Sequence, residues 1–443
     1  MSRWLITNAR LVNDGETIET DVRIERGRID RMDGELSARP RETVVNARGR
    51  YLLPGMIDTQ VHFREPGLSK MGNIATESRA AVAGGVTSFL DFPDTRPATT
   101  TRRALRDKFS RAHGRATANY GFYLGATGSN LDEVRATTRP QACGLSICVG
   151  GGGMDDVVDD PATLAELVAA TSLLPVVHGE DGEIVEANRA QALSRNDGEL
   201  PASVHPEIHS RQAGRAAFDL AAGVTGAAAV HVAGISTLDE TEMLEAGEIE
   251  GKRLSAGVCL PHLYFMDVDY DDLGNLIKYD PAIQADTDRA ALRRAVADGR
   301  IDIIASGHAP QLLRDKGSRY WAAAAGMPVV QFALPVAWSL VAARMLSPEK
   351  LVEKIAHNPA RRFGLSERGF AREGCWADLV LLDPARRCVV DKQSQLSQCA
   401  WTPFAGRKLP ASVAATWVNG RLVWRDGLLT GQVPGQRLAP VRD

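Results

Sequence analysis

The sequence lacks a strong excess of either charge, a long apolar run and any closely spaced pair of cysteines. Its 443 residues carry a formal net charge of −3, so nothing in the charge predicts nucleic acid or an anionic membrane as a partner. No run of about 18 apolar residues predicts a membrane span, and Met1–Leu5 does not have the features of a signal peptide. The six cysteines are scattered, as is typical of buried thiols in a reducing compartment. We therefore expect a soluble, cytoplasmic globular protein.

The middle of the chain, residues 54–365, alternates short apolar runs with stretches whose apolar residues recur every three or four positions. Eight such units predict an α/β fold with a (β/α)8 TIM barrel. An open doubly wound sheet is the alternative, because a count of strands does not show that the sheet closes. The eight runs are Met56–His62, Thr87–Phe92, Ala118–Gly125, Gly144–Gly150, Leu174–His178, Ala228–Gly234, Leu254–Cys259 and Asp302–Gly307.

Both ends of the chain predict short strands instead. In the C-terminal part, Asn419-Gly420 separates two of them and is a strong two-residue hairpin turn. Neither end alone has enough strands for a sandwich, so we expect one composite β-sandwich domain of residues 1–53 and 366–443, with the barrel inserted. The predicted strands are Trp4–Val12, Asp21–Glu25, Val44–Val45, Ala377–Leu382, Ser412–Val418 and Arg421–Trp424.

The first barrel strand leads into Pro54–Gly67, where Asp58, Gln60, His62 and Arg64 recur at every second position. In a strand this spacing points all four side chains to one face. Two histidines at positions i and i+2 at the end of such a strand would hold a divalent metal, and here Gln60 stands in place of the first.

Barrel chemistry is located at the C-terminal ends of the strands, where this sequence has His62, His178, Gly234, Gly307 and His308. Together with longer motifs, these segments resemble the dihydroorotases of the amidohydrolase superfamily over nearly the whole chain. The resemblance implies a (β/α)8 barrel with a composite β domain, and hydrolysis of the cyclic amide dihydroorotate in pyrimidine biosynthesis. The motifs include VHFREPG (Val61–Gly67), DFPDTRP (Asp91–Pro97), VVHGED (Val176–Asp181), IST (Ile235–Thr237), IDIIASGHAP (Ile301–Pro310) and WTPFAG (Trp401–Gly406).

The resemblance also implies a two-metal centre, yet most of its positions differ here. The first-strand H-x-H pair is Gln60 and His62, although some close relatives also have glutamine. The fourth-strand lysine, which is carbamylated in the family and bridges the metals, is Ser146. The sixth-strand histidine is Gly234, and the eighth-strand aspartate, a metal ligand and the general base, is Gly307.

His62 and the fifth-strand His178 are thus the residual metal ligands. A catalytic zinc site normally takes three protein ligands and a water, and loss of a general base costs on the order of 10²–10⁴ in rate. We therefore expect no catalytic residue, with Gly307 in the usual general-base position, and no cofactor.

The substrate-binding positions implied by the family are degenerate as well. Arg64 matches the arginine that grips the substrate carboxylate, but its asparagine neighbour is Asp94. That carboxylate would repel an anion by about 4 kcal/mol at 4 Å with an effective dielectric of 20, or would occupy Arg64 as a bidentate partner. Asp280 likewise replaces an asparagine near the barrel mouth, and His308 and Gln311 complete the set.

Three interpretations remain open. In the first, favoured because chemistry positions are lost while scaffold motifs remain, the chain is a silent dihydroorotase homologue in a homo-oligomer or hetero-complex. Its suspected partner is aspartate carbamoyltransferase, with which such relatives associate. In the second, it is an active cyclic-amide hydrolase with an atypical zinc site, built from His62, His178, His308 and Asp58 or Asp94. In the third, it binds a small molecule through Arg64 without turnover.

Overall fold

A computed structural model describes residues 3–150, 157–158, 160–196, 199–226, 228–317 and 319–441. The strands are β1 (Trp4–Asn13), β2 (Glu16–Glu25), β3 (Arg28–Asp33), β4 (Thr43–Asn46), β5 (Tyr51–Pro54), β6 (Met56–Val61), β7 (Val86–Asp91), β8 (Asn119–Phe122), β9 (Leu124–Gly125), β10 (Leu145–Val149), β11 (Pro175–Gly179), β12 (Val230–Ile235), β13 (Leu254–Cys259), β14 (Ile303–Ala305), β15 (Leu379–Asp383), β16 (Cys388–Val389), β17 (Lys408–Leu409), β18 (Ser412–Val418), β19 (Arg421–Arg425) and β20 (Leu428–Leu429).

The α-helices are α1 (Ile74–Ala83), α2 (Arg102–Ala112), α3 (Leu131–Ala136), α4 (Pro161–Ala170), α5 (Gly182–Arg195), α6 (His205–Ile208), α7 (Arg211–Gly223), α8 (Leu238–Thr241), α9 (Leu260–Tyr264), α10 (Asp269–Leu273), α11 (Asp286–Ala297), α12 (Leu313–Lys316), α13 (Ala333–Ala342), α14 (Pro348–Val352) and α15 (Asn358–Arg362). Short 3₁₀ turns and a π-helical turn at Glu353–His357 connect some of them. None of the helices in the described part of the chain is long and apolar enough to cross a bilayer, and the cytoplasmic location stays a prediction.

The parallel strands β6 to β14 close into a barrel. They form a three-stranded sheet, β6-β7-β8, and a six-stranded sheet that runs from β9 to β14, and Tyr123 alone separates β8 from β9. The backbone N–H of His62 donates to the carbonyl oxygen of His308 at 2.8 Å, and Val61 and His308 form a parallel bridge. The first and eighth strands therefore meet, which confirms the predicted barrel over the open sheet.

The barrel strands are apolar throughout because both of their faces are covered. Every residue of β6, β7 and β12 is buried, as expected of parallel strands packed between helices and the barrel interior. The helices outside have one buried face: in α7, Ala217, Phe218 and Ala221 recur at helical spacing and are buried.

Most strands from the two ends of the chain form one nine-stranded sheet, and β16 and β17 form a separate two-stranded sheet. The order of the nine-stranded sheet is β20-β19-β18-β15-β5-β1-β2-β3, with β4 also paired to β1. The predicted turn at Asn419-Gly420 has φ values of 50° and 69°, the positive values that a two-residue hairpin requires. Motif reasoning missed β3, because the sequence of this edge strand, RIDRMD, is mostly polar. The domain boundaries at residues 53/54 and 365/366 stay predictions.

Candidate functional site

A cavity of about 340 Å³ lies at the C-terminal ends of the barrel strands. Its volume suits a small molecule. Most of the side chains that the family resemblance assigned to metal or substrate lie around it. The predicted residues that line the cavity are Gln60, His62, Arg64, Asp94, Ser146, His178, Asp280 and Gln311.

Asp94 binds the two cationic or basic side chains that follow the first barrel strand. Nδ1–H of His62 donates to Oδ1 of Asp94 at 2.8 Å, and Nη1 of Arg64 donates to Oδ2 at 2.5 Å. Burial alone would raise the pKa of Asp94, but the charges of His62 and Arg64 hold it well below its usual range. Asp94 thus pairs with Arg64, as one of the two predicted outcomes. The pairing consists of one hydrogen bond and not of a bidentate pair.

Ser146 engages the fifth-strand histidine directly. Its Oγ lies 3.0 Å from Nε2 of His178, and the ring of Phe92 packs edge-on against the imidazole with centroids 4.9 Å apart. Burial, reinforced by His62, lowers the pKa of His178 to about 4. His178 is therefore neutral at pH 7, with Nε2 hydrogen-bonded to a hydroxyl group.

Gly234 and Gly307 stand at two of the family's ligand positions, and position 307 is the more crowded of the two. Both have positive φ, 75° and 68°. A Cβ on Gly234 would lie 3.1 Å from Nε2 of Gln60, and one on Gly307 would lie 2.5 Å from Oη of Tyr279. A side chain at position 307 would therefore collide with Tyr279 and Cys259, whereas one at position 234 would need the flexible end of Gln60 to move slightly.

The family's two-metal centre therefore does not fit the residues present. Of its ligand positions, His62 and His178 keep an imidazole, and each is already bonded to a neighbouring side chain. The bridging carboxylate cannot form on Ser146, and Gly307 offers no base. We derive no metal-dependent hydrolytic step from this cavity.

His308 and Asp58 do not line the cavity, which corrects their assignment to an atypical metal or substrate site. His308 is fully buried; its Nδ1 accepts the N–H of Val329 at 3.0 Å, and its Nε2 donates to Glu77 at 2.9 Å. With both nitrogens engaged by the scaffold, His308 cannot contact substrate. Asp58 is also buried and accepts the N–H of Ser306 at 2.9 Å, and burial raises its pKa to about 6.

Motif reasoning missed two histidines beside the cavity. Nε2 of His205 lies 3.1 Å and Nε2 of His209 3.7 Å from Oδ1 of Asp280, and Nδ1 of His209 lies 2.7 Å from Glu180. Burial lowers the pKa of His209, but Asp280 and Glu180 outweigh it and raise the value to about 9. The i, i+4 spacing of the two histidines, one helical turn apart, was the signal that could have identified them.

Comparisons with known proteins agree with the fold and the motifs. A model of the Amidohydrolase family matches residues 51–423. The chain is 34% identical to a dihydroorotase of Halobacterium salinarum, over 91% of this chain and 93% of that protein, and 28% identical to one of Methanosarcina mazei, over 97% and 96%.

Solved structures of the same architecture cover the whole chain. The L-hydantoinase (dihydropyrimidinase) of Arthrobacter aurescens superposes with a TM-score of 0.90 at 25% identity, over 99% of this chain and 100% of that one. The dihydropyrimidinase of Brevibacillus agri shares the fold with a TM-score of 0.88 at 23% identity, over 100% of both chains. The chain therefore belongs to the amidohydrolase family and, within it, to the dihydroorotase family.

Proposed function

We propose that this protein is a dihydroorotase homologue of pyrimidine biosynthesis that does not hydrolyse dihydroorotate and acts as a structural partner of aspartate carbamoyltransferase. The observation that carries the loss of hydrolysis is the 3.0 Å contact between Ser146 and His178. A hydroxyl group stands where the family has a bridging carboxylate, and it binds the histidine that would otherwise hold a metal.

The charges in the cavity support the same proposal. Arg64, the residue that would bind a substrate carboxylate, donates to Asp94. An anionic substrate would have to displace a buried carboxylate whose charge is already compensated by two neighbours. Such displacement leaves Asp94 with His62 alone as its partner, and the loss of one partner is costly for a buried charge.

The motifs that remain readable hold the scaffold together, which supports an assembly role. Glu65 of the R-E-P-G segment accepts the backbone N–H of Ile74 at 3.0 Å and pairs with Arg115 at 2.7 Å. Thr237 of the I-S-T segment caps α8 in a reciprocal capping box with Glu240. A chain retained for its fold keeps residues of this kind while its chemistry positions drift.

A turnover assay tests the catalytic half of the proposal. The full chain, supplied with Zn²⁺ and bicarbonate, is assayed for dihydroorotate hydrolysis and formation, beside the His178→Gln variant. We expect both proteins to match the background rate. Saturable turnover in the unmodified chain that His178→Gln abolishes would overturn the proposal.

A mixing experiment tests the assembly half. The protein and aspartate carbamoyltransferase of the same organism are combined and examined by size-exclusion chromatography with light scattering. We expect a complex of defined stoichiometry that neither protein forms alone. Independent elution of the two proteins at micromolar concentration would contradict the assembly role. It would not affect the proposal that the protein does not hydrolyse dihydroorotate.

Small-molecule binding without turnover is a second candidate function, favoured by Gln311. Its Nε2 donates to the carbonyl of Ala325 at 2.8 Å, while its buried Oε1, beside the cavity, accepts no hydrogen bond from any described residue. Buried acceptors are normally paired, so a ligand N–H is a suitable partner. A thermal-shift screen of cyclic amides and ureides, repeated with Gln311→Leu, would show stabilisation in the first protein and its loss in the second.

A further inference from the structure

We propose that His205, His209 and Asp280 bind one divalent transition-metal ion of the zinc class. The site uses none of the residues that stand at the family's metal positions. The inference goes beyond the proposed function and does not rest on it, because an ion at this place requires no turnover in the cavity.

The spacing of the three side chains suits a metal shell. Their ligand atoms all lie within 4.8 Å of one another, and Oδ1 of Asp280 is 3.1 Å from Nε2 of His205 and 3.7 Å from Nε2 of His209. Metal–ligand distances of about 2.0–2.1 Å in a tetrahedral shell place neighbouring ligand atoms about 3.3 Å apart. Small shifts would bring all three atoms onto one ion.

The chain positions the two histidines as a pair. His205 begins α6 and His209 follows it, so the two residues are one helical turn apart and their side chains share one side. Their ring centroids are 4.3 Å apart. Zinc enzymes use histidines at positions i and i+4 of a helix as metal ligands.

The outer nitrogen of each ring is held by a second residue. Nδ1 of His209 donates to Glu180 at 2.7 Å, and Nδ1 of His205 lies 2.7 Å from Oη of Tyr320. Metal-binding histidines characteristically use the second nitrogen in this way, because the hydrogen bond fixes the tautomer and aims the other nitrogen at the ion. Here Nε2 of His209 faces Asp280, whereas Nε2 of His205 lies between Asp280 and the carbonyl oxygen of Tyr279 and would have to release that carbonyl to bind an ion.

Asp280 itself supplies the independent observation. Its Oδ1 is buried and accepts no hydrogen bond of good geometry from the described residues. His205 Nε2 has the carbonyl oxygen of Tyr279, 3.0 Å away, as its hydrogen-bond partner. A buried carboxylate oxygen facing two imidazole nitrogens without a well-directed donor is the arrangement that a cation completes.

The local charge fits a divalent ion. Asp280 and Glu180 bring two carboxylates to one side of the cavity. An incoming ion would replace the proton that His209 carries between them, since a ligating imidazole must be neutral. A 2+ ion would balance both carboxylates. The donor set of two nitrogens and one oxygen suits Zn²⁺ or Co²⁺ better than the all-oxygen sites of Ca²⁺ and Mg²⁺. Three protein ligands leave a coordination position open.

Cobalt binding tests the site, because tetrahedral Co²⁺ absorbs visible light. The full chain is stripped with a chelator and titrated with Co²⁺, with stoichiometry from calorimetry and Zn²⁺ as competitor. We expect one Co²⁺ per chain, displaced by Zn²⁺. Glu180→Gln should weaken binding about 10–100-fold, and His209→Gln and Asp280→Asn should weaken it more.

The controls separate this site from other histidines. His178→Gln alters the family's residual position and His113→Gln an exposed histidine, and both should bind Co²⁺ as the unmodified chain does. Asp280→Asn preserves the side-chain volume. If a histidine variant fails to fold, Co²⁺ binding by Asp280→Asn therefore still tests whether the site exists. Absence of tetrahedral absorption, binding retained in Asp280→Asn, or binding lost in His178→Gln would each overturn the proposal.

Discussion

Oη of Tyr279 donates a 2.7 Å hydrogen bond to the carbonyl oxygen of Gly307 and lies 2.5 Å from the point where a Cβ on Gly307 would be. The tyrosine therefore closes the position of the general base in related enzymes. A single substitution that restores an acidic side chain at position 307 would meet this hydroxyl group and a backbone with φ of 68°.

Alanine at position 307 should destabilise the protein by about 3 kcal/mol. A left-handed backbone costs a non-glycine residue about 1–2 kcal/mol, and overpacking adds about 1–3 kcal/mol. Gly374→Ala is the matched control, since Gly374 has φ of +87° and no atom within 4 Å of its added Cβ; it should cost about 1 kcal/mol. Equal midpoints of urea unfolding for the two variants would show that Tyr279 and Cys259 do not crowd position 307.

Asp94→Asn should improve anion binding in the cavity. The substitution removes the carboxylate that Arg64 contacts and leaves the guanidinium group available for a ligand carboxylate. We expect dihydroorotate to bind at least about tenfold more tightly, equivalent to about 1.4 kcal/mol, as measured by calorimetry. Asp132→Asn, at a fully exposed side chain, should leave the affinity unchanged. The same weak binding in both variants would contradict a role of the ion pair in closing the site to anions.

His308→Leu should destabilise the protein. It should leave unchanged the affinity of the cavity for any cyclic amide or ureide that the thermal-shift screen identifies. The substitution removes one donor from the buried Glu77, which keeps the donors Ser397 and Gln398, and it leaves the N–H of Val329 without its acceptor. An unpaired buried N–H costs about 1–3 kcal/mol, which would be visible as a lowered midpoint of urea unfolding. His113→Gln should change the free energy of unfolding by less than about 0.5 kcal/mol. If His308→Leu weakened ligand binding in the cavity without lowering stability, His308 would have to be a substrate-binding residue after all.

The buried carboxyl of Asp58 should make stability fall as pH rises from about 4 to about 6. Its pKa is raised by burial from 3.8 to about 6 in the folded chain, so the folded state retains the proton that the unfolded state loses. The contribution is fully present below pH 4 and is lost above pH 6, with a size of at most about 3 kcal/mol. Asp58→Asn should flatten this part of the profile of unfolding free energy against pH. An unchanged profile would assign the pH dependence to other groups.

The barrel was predictable from the sequence because its strands are buried on both faces. Strands that are buried on both faces consist mainly of apolar residues, so runs such as Val86–Asp91 and Val230–Ile235 are recognisable in the sequence. The edge strand β3 carries no such signal, since one face is solvated and its residues are largely charged. The closure of the barrel was not predictable either, because it depends on the pairing of Val61 with His308, which are about 250 residues apart in the sequence.

The candidate site was predictable where a motif position lies on a barrel strand. Ser146 and His178 lie on the adjacent parallel strands β10 and β11, and both line the cavity. His308 was misplaced, because its position at a strand end does not show that its ring turns towards Glu77. His205 and Asp280 come from segments 75 residues apart, and their approach depends on loop packing that periodicity does not encode.

The most direct test of the account is the position of bound metal in crystals grown with Zn²⁺, located by anomalous scattering at the zinc edge. We expect no ion within bonding distance of His62 or His178, whether or not an ion is bound at His205, His209 and Asp280. Two bridged ions in the cavity, held by His62 and His178, would contradict the account.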